Sequence, residues 1–408
     1  MPLSRRGALQ GLGLLSAALA GPAAAAAPRG LGLDTDFAFE GTYLDAAFSH
    51  PLSRAGYLAG ETYARERLMD PRAVGPGKNG RDGAVARFAR LVGADPADIA
   101  VVPSTMVGEN MVGQALGLGP GVGVVTDALH YDASLALYDA LGRSGTPVAV
   151  VRPRGGAIDL ADLKALLTPQ VRLVAVSLIS SVTGFEYDLA ELCALAHAHG
   201  ALVYADIIQA AGAVPLDLKA SGVDFACAGA YKWLMGDFGA AFLYVRPDRL
   251  DRLKRVQVGW RQLRGHTSHV LPFEPPGPVI GDFKLAKDAV GLFEVGTPAW
   301  NTLAVASAGM DLIAARGVDA IAQARRPLTD RLQEKLARLG LTSLTPPGSR
   351  SPIVAFACQD ADKRFSARLR AAGIRISVYP DRLRISPSVY NTLEDVDHLA
   401  EVMAGSAG

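Results

Sequence analysis

The sequence predicts a doubly wound α/β fold: a large domain with a mostly parallel seven-stranded sheet, followed by a smaller C-terminal α/β domain. Three observations carry this. Apolar runs of four to seven residues recur at Ile99–Val102, Val122–Thr126, Val148–Val151, Leu173–Ser177, Leu202–Ala205, Phe225–Ala228 and Ala241–Val245, and read as strands buried on both faces. Helical patterns such as Ala133–Leu141 and Leu189–Ala198 lie between several of them, with Gly-rich turns at the joints. Half the residues are hydrophobic and 20% are charged, which is a globular composition. The net charge of +1 leaves no basic field for a nucleic-acid backbone.

In chain order, residues 1–27 open with Ser4-Arg5-Arg6, continue as an uncharged Gly/Ala/Leu run, and end in Ala23 to Ala27. A basic start, a weakly apolar middle and small residues at the end describe a cleaved export signal, and this one resembles the twin-arginine type. Its Gly/Ala content is too weakly apolar for a membrane anchor. The resemblance implies the twin-arginine export machinery as a partner and a periplasmic location, or a cytoplasmic one without that signal. Residues 28–54 form an N-terminal segment and residues 55–300 the large domain. Within it, His266–Gly281 is Pro/Gly-rich and without periodicity, which predicts a loop. Residues 301–408 form the small domain. A long helical stretch runs from Trp300 to about Leu339, followed by a unit with elements at Ile353–Phe356, Arg364–Ala372, Ile374–Val378, Arg382–Ile385 and Leu393–Met403. Three scattered cysteines, Cys193, Cys227 and Cys358, provide no disulfide framework, and no histidine has a partner at metal spacing, so no metal is expected.

Two ionisable residues fall at strand ends, where an open α/β sheet places its ligands. Asp206 follows Leu202–Ala205, and Lys232 lies just past Phe225–Ala228. Taken singly, each reads as a helix cap or a solvated charge. Their context is more specific: Asp206-x-x-Gln209-x-x-Gly212-x-x-Pro215-x-Asp217, then Asp224-Phe225, Lys232, and Gly239-Ala240-Ala241-Phe242-Leu243-Tyr244-Val245. This block resembles pyridoxal-phosphate enzymes of fold type I and, more closely, the class V aminotransferase family, which includes cysteine desulfurases, kynureninase and isopenicillin N epimerase-like proteins.

The resemblance implies pyridoxal 5'-phosphate as cofactor and assigns roles. Lys232 is the catalytic amine that joins the cofactor aldehyde, which requires a depressed pKa or a neighbour that accepts its proton. Asp206 keeps the ring nitrogen protonated, so that the ring absorbs electrons from the substrate α-carbon. Gln209 contacts the phenolic oxygen. Ser104 and Thr105, after a strand and before a helix around Asn110–Leu116, suit the phosphate, although ordinary capping explains them equally well. Tyr231 is a further phosphate contact, and Gly296 and Thr297 resemble the segment that reaches the phosphate from the other subunit, implying a homodimer. The ring stacked on the cofactor is His130, also a candidate for moving protons, or its neighbour Tyr131. Arg384 is the candidate for gripping a substrate carboxylate in two parallel hydrogen bonds, with Arg382 and Arg375 as competitors.

The chain departs from the family where a desulfurase needs a mobile cysteine: Ile374–Asp381 has none. Ser181, at the cofactor site, replaces the Asn usual in desulfurases. The expected activity is reaction at the α-carbon of an amino acid or amine, with tailoring of an exported peptide or metabolite as a possible role. A C–S lyase or desulfurase-like enzyme and a non-catalytic cofactor-binding protein are the alternatives.

Overall fold

The computed structural model describes residues 34–72 and 80–405. The export signal read at residues 1–27 lies outside the described residues. The large sheet has seven strands: β1 Ile99–Val102, β2 Gly123–Asp127, β3 Val148–Val151, β4 Val171–Ser177, β5 Leu202–Asp206, β6 Phe225–Gly229 and β7 Ala241–Val245. Their order is β1-β7-β6-β5-β4-β2-β3. Strands β2 to β6 are parallel, whereas β7 runs antiparallel to both of its neighbours.

The period of two sorts each strand between two cores. Val203 and Ala205 of β5, with Val174 and Val176 of β4, pack under helices that contribute Phe88, Leu192, Leu303 and Met310. Leu202 and Tyr204, with Leu173 and Ala175, face the opposite side, against Met111, Val112 and Tyr138. After helices α1 (Arg54–Met69) and α2 (Arg81–Leu91) come α3 (Thr105–Ala115) and α4 (Asp132–Arg143), and the same alternation puts Asp206 and Ser177, paired in register, on the side of α3 and α4.

The small unit has a four-stranded antiparallel sheet: β8 Thr342–Ser343, β9 Val354–Ala357, β10 Ser377–Val378 and β11 Arg382–Ile385, in the order β8-β9-β11-β10. Leu328, Leu332, Phe365, Leu369, Val396 and Leu399 cover it. The N-terminal segment threads between the two units. Thr42–Tyr43 pairs in parallel with Ile374–Arg375, Leu44 joins the small core, and Ala46 and Ala47 join the large one.

Two expectations need correcting. The helical stretch after Trp300 is two helices, Trp300–Arg316 and Val318–Arg338, because Gly317 takes a φ of 82° that ends the first. The ends of His266–Gly281 are not loop. Leu263–Ser268 and Gly281–Leu285 form an antiparallel ribbon, and only the residues between them lack regular structure.

Gly212 fixes the turn after β5. Its φ is +88°, and a Cβ there would lie 2.5 Å from the Trp233 carbonyl oxygen. Gly212→Ala is therefore expected to cost about 2–4 kcal/mol through left-handed strain and displacement of the Trp233 backbone. A drop in the urea midpoint with an unchanged slope would show it. An unchanged midpoint would mean that the turn relaxes freely.

Candidate active site

The carboxyl ends of the parallel strands gather the site. Lys232 stands in a tight turn after β6, closed by the Met235 amide on the Lys232 carbonyl (2.8 Å) and the Gly236 amide on the Ala230 carbonyl (2.9 Å). Trp233, Leu234 and Met235 are buried beneath it, with Met235 held at a φ of 56°. Lys232 is buried, and its amine makes no hydrogen bond or ion pair among the described residues; it lies over the Tyr231 ring, 5.6 Å from the centroid. Burial pulls it down to about 8 against the opposing pull of Asp206.

Asp206, also buried, accepts one hydrogen bond, at Oδ1 from the Ile208 amide (2.9 Å). Burial pushes its carboxyl up to about 6, while the Ile208 amide, His130 and Lys232 counter that push. An amine with a lowered hold on its proton and a sparsely bonded carboxyl thus share one buried space.

His130, in the turn after β2, is fully buried, whereas Tyr131 is 44% exposed and caps α4. The ring inside the site is therefore His130. Its Nδ1 lies 2.8 Å from Ser177 Oγ and its Nε2 3.1 Å from Glu109 Oε1. Gln209 is buried; its Oε1 accepts from Trp233 Nε1 (2.8 Å), and one amide hydrogen goes to the Ala47 carbonyl (3.0 Å), leaving the second without a partner among the described residues.

The Ser104 hydroxyl caps α3 through the Val107 amide (3.2 Å), so what that turn offers a ligand is its unpaired first-turn N–H groups. Ser181 is partly buried and Tyr231 stacks on Phe238 at 4.6 Å. Gly296 and Thr297 are exposed, and no hydrogen bond or ion pair joins them to Lys232, Asp206 or Arg384.

The structure separates the three arginines. Arg375 is exposed, reaching the Glu40 carbonyl at 3.3 Å, and Arg382 lies over the Tyr379 ring. Arg384 is buried, and its charge acts on Lys232. Arg384 Nη2 donates to Ser377 Oγ (2.7 Å) and Asp45 Oδ1 (3.3 Å), while its buried Nε has no partner. An unpartnered guanidinium N–H in a buried site fits a carboxylate ligand.

The family model described as aminotransferase class V matches residues 81–399. The chain belongs to the class V aminotransferase family. Isopenicillin N epimerase of Streptomyces clavuligerus is 30% identical over 353 residues, covering 79% of this chain and 83% of that protein. Kynureninase of Deinococcus radiodurans is 31% identical over 65% of this chain and 62% of its own. Among solved structures, the cysteine desulfurase CsdA of Escherichia coli superposes with a TM-score of 0.77 at 22% identity, covering 90% of this chain and 94% of its own. The C–S lyase C-DES, as a mutant with glycine linked to its cofactor, superposes at 0.79 and 21%, covering 90% and 96%.

These likenesses bear out fold type I. The protein is a pyridoxal-phosphate-dependent enzyme of this family, and its donor set fits the cofactor: an unbonded amine at Lys232, a buried carboxyl at Asp206, a spare amide hydrogen at Gln209 and free amides at the start of α3.

Sequence reading missed Glu109, Ser177 and Asp45. Two of them carried a signal. Glu109 is the only charged residue of α3, and Asp45 is the only acid between Glu40 and Glu61.

The depressed Lys232 has a measurable consequence in the cofactor-free protein. Between about 8 and the ordinary value of 10.5, the unfolded chain holds a proton that the folded chain has lost, so stability rises with pH across that window. Below it the folded state carries the whole burden, on the order of 3 kcal/mol. Lys232→Met is therefore expected to be the more stable protein at neutral pH, by an amount that shrinks as pH climbs through the window. Urea unfolding of both proteins at several pH values reads this; a difference that does not vary with pH would place Lys232 at its ordinary value.

Proposed function

We propose that the enzyme labilises a bond at the α-carbon of an amino acid or amine, proton removal first among them. When bound, the cofactor supplies a ring that withdraws the electrons left at that carbon. The observation that carries this reading is the buried pair of Lys232, without a hydrogen-bond partner, and Asp206, with one. Lys232 would hold the cofactor and take the proton; the lowered pKa of its amine, about 8, suits both tasks. Asp206 would meet the ring nitrogen, His130 would pack against the ring, and the free hydrogen of Gln209 would reach the phenolic oxygen. The first amides of α3 at Ser104 and Thr105, with Tyr231 and Ser181, line the phosphate side. Arg384 takes the substrate carboxylate through its unpartnered Nε.

The test is absorption of the purified protein with and without borohydride, followed by deuterium incorporation at the α-carbon across a panel of amino acids and amines in heavy water. A protein that binds no pyridoxal phosphate, or exchanges no member of the panel, would sink the proposal. Cystine and cysteine belong in the panel, because a C–S lyase needs no enzyme cysteine. A persulfide-forming desulfurase is disfavoured: Cys358 is buried, with Arg364 Nη1 3.0 Å from its Sγ.

Homodimerisation is part of the proposal, supported by the exposed Gly296–Thr297 segment; light scattering tests it. So is twin-arginine export to the periplasm, with tailoring of an exported peptide or metabolite as the role. Replacing Arg5 and Arg6 by Lys is expected to retain the protein in the cytoplasm, and continued export would refute that route.

A further inference from the structure

Glu109 does not belong to the roles assigned above, yet it is 2% exposed at the centre of the site. Its Oε1 accepts from the Tyr138 hydroxyl (2.6 Å) and from His130 Nε2 (3.1 Å), and its Oε2 accepts from the Ser134 hydroxyl (2.7 Å). Two of these three partners are neutral hydroxyls. His130, fully buried, is the only one able to carry a positive charge. A buried carboxylate without a counter-charge is costly, and three well-formed hydrogen bonds favour its ionised form.

The other titratable groups around the pair supply no second cation. Strand β2 contributes Asp127, which accepts from the Tyr187 hydroxyl and the Leu129 amide. Strand β5 contributes Asp206 and Tyr204, and β6 contributes Cys227. Helix α4 contributes Tyr138, and the uncharged Ser177 of β4 meets Nδ1. Of the two other basic groups of the site, Arg384 is paired with Asp45, and Lys232 is drawn by burial toward its neutral form.

We propose that Glu109 is a positioning residue that holds His130 as an imidazolium, donating from Nε2 to Glu109 and from Nδ1 to Ser177, so that the ring is a fixed cation beside Asp206 and not a proton shuttle. The electrostatics agree. Burial pulls the His130 imidazole down, but Glu109, with Asp206 and Asp127, more than reverses it. Burial likewise pushes Glu109 up, and His130 and the two hydroxyls bring it below its ordinary value. Among the charges acting on Asp206, His130 outranks Glu109, so the pair as a whole favours the Asp206 carboxylate. That last consequence rests on the cofactor reading above; the charge of the ring does not.

The experiment is a pH titration of the histidine ring nitrogens by NMR, on selectively labelled full-length protein without added cofactor, with His130→Gln to assign the signals. In the wild type both His130 nitrogens are expected to stay protonated to pH values above the ordinary histidine range. In Glu109→Gln the ring is expected to be neutral there, its midpoint lowered because burial remains without the carboxylate. Glu109→Asp is expected to restore the charge. A neutral His130 in the wild type, or a midpoint that Glu109→Gln leaves unmoved, would overturn the proposal. If Glu109→Gln does not fold, the wild-type titration with Glu109→Asp decides it alone. A protein that shows the charged ring and yet binds no pyridoxal phosphate fails the cofactor reading and not this one.

Discussion

Lys232→Ala is expected to fold and yet to keep no pyridoxal phosphate after borohydride treatment and denaturation, and to lose α-carbon exchange by roughly 10³-fold or more. Among the described residues Lys232 is the only buried lysine. A solvated lysine keeps its proton at neutral pH and does not attack an aldehyde readily, so no other chain amine is placed to substitute. Folding should survive, because the substitution removes a buried amine that no hydrogen bond or ion pair stabilises. Mass spectrometry of the reduced, digested protein would place the cofactor mass on the peptide carrying Lys232. Full labelling of the Ala variant would move the anchor elsewhere and remove the central assignment.

Arg384→Ala is expected to act on two quantities at once. The Michaelis constant for a carboxylate-bearing substrate should rise on the order of 10²-fold or more, with a smaller change in turnover, as a charge-assisted contact is lost. Stability should also fall by about 3–5 kcal/mol, because Asp45 is left in a buried site without its cation. The two effects separate in the double variant Asp45→Asn/Arg384→Ala. The second change removes the orphaned charge and should recover much of the stability, while the weak substrate binding persists. A double variant that binds substrate normally would show that Arg384 served only to neutralise Asp45. Substrates without a carboxylate give the control, since their binding should respond to neither change.

The seven strands were readable because strands buried on both faces are almost purely apolar, and the turn glycines between them leave few other readings. Asp206 and Lys232 were readable as candidates because the first ends such a strand and the second follows one closely. Glu109, Ser177 and Asp45 were not. Their partners lie at sequence separations of 21, 47 and 339 residues, and no local periodicity encodes such pairings. The charge of Glu109 on an otherwise uncharged helix was the one trace of it. The break at Gly317 was lost for a different reason: a lone glycine within a helical pattern is weak punctuation, and only the structure shows its positive φ.

The threading of the N-terminal segment also sets a clock. Asp45 meets Ser377 across 332 residues, so at about 5–20 residues per second the ribosome needs roughly 20–60 s to make the second after the first. Throughout that interval Thr42–Tyr43 lacks its partner strand and Arg384 does not yet exist. A nascent chain that stops short of residue 384 carries Lys232 without the guanidinium whose charge acts on that amine. On the role proposed for Arg384, substrate selection is thus gained only once residue 384 has been made, later than the amine it would govern.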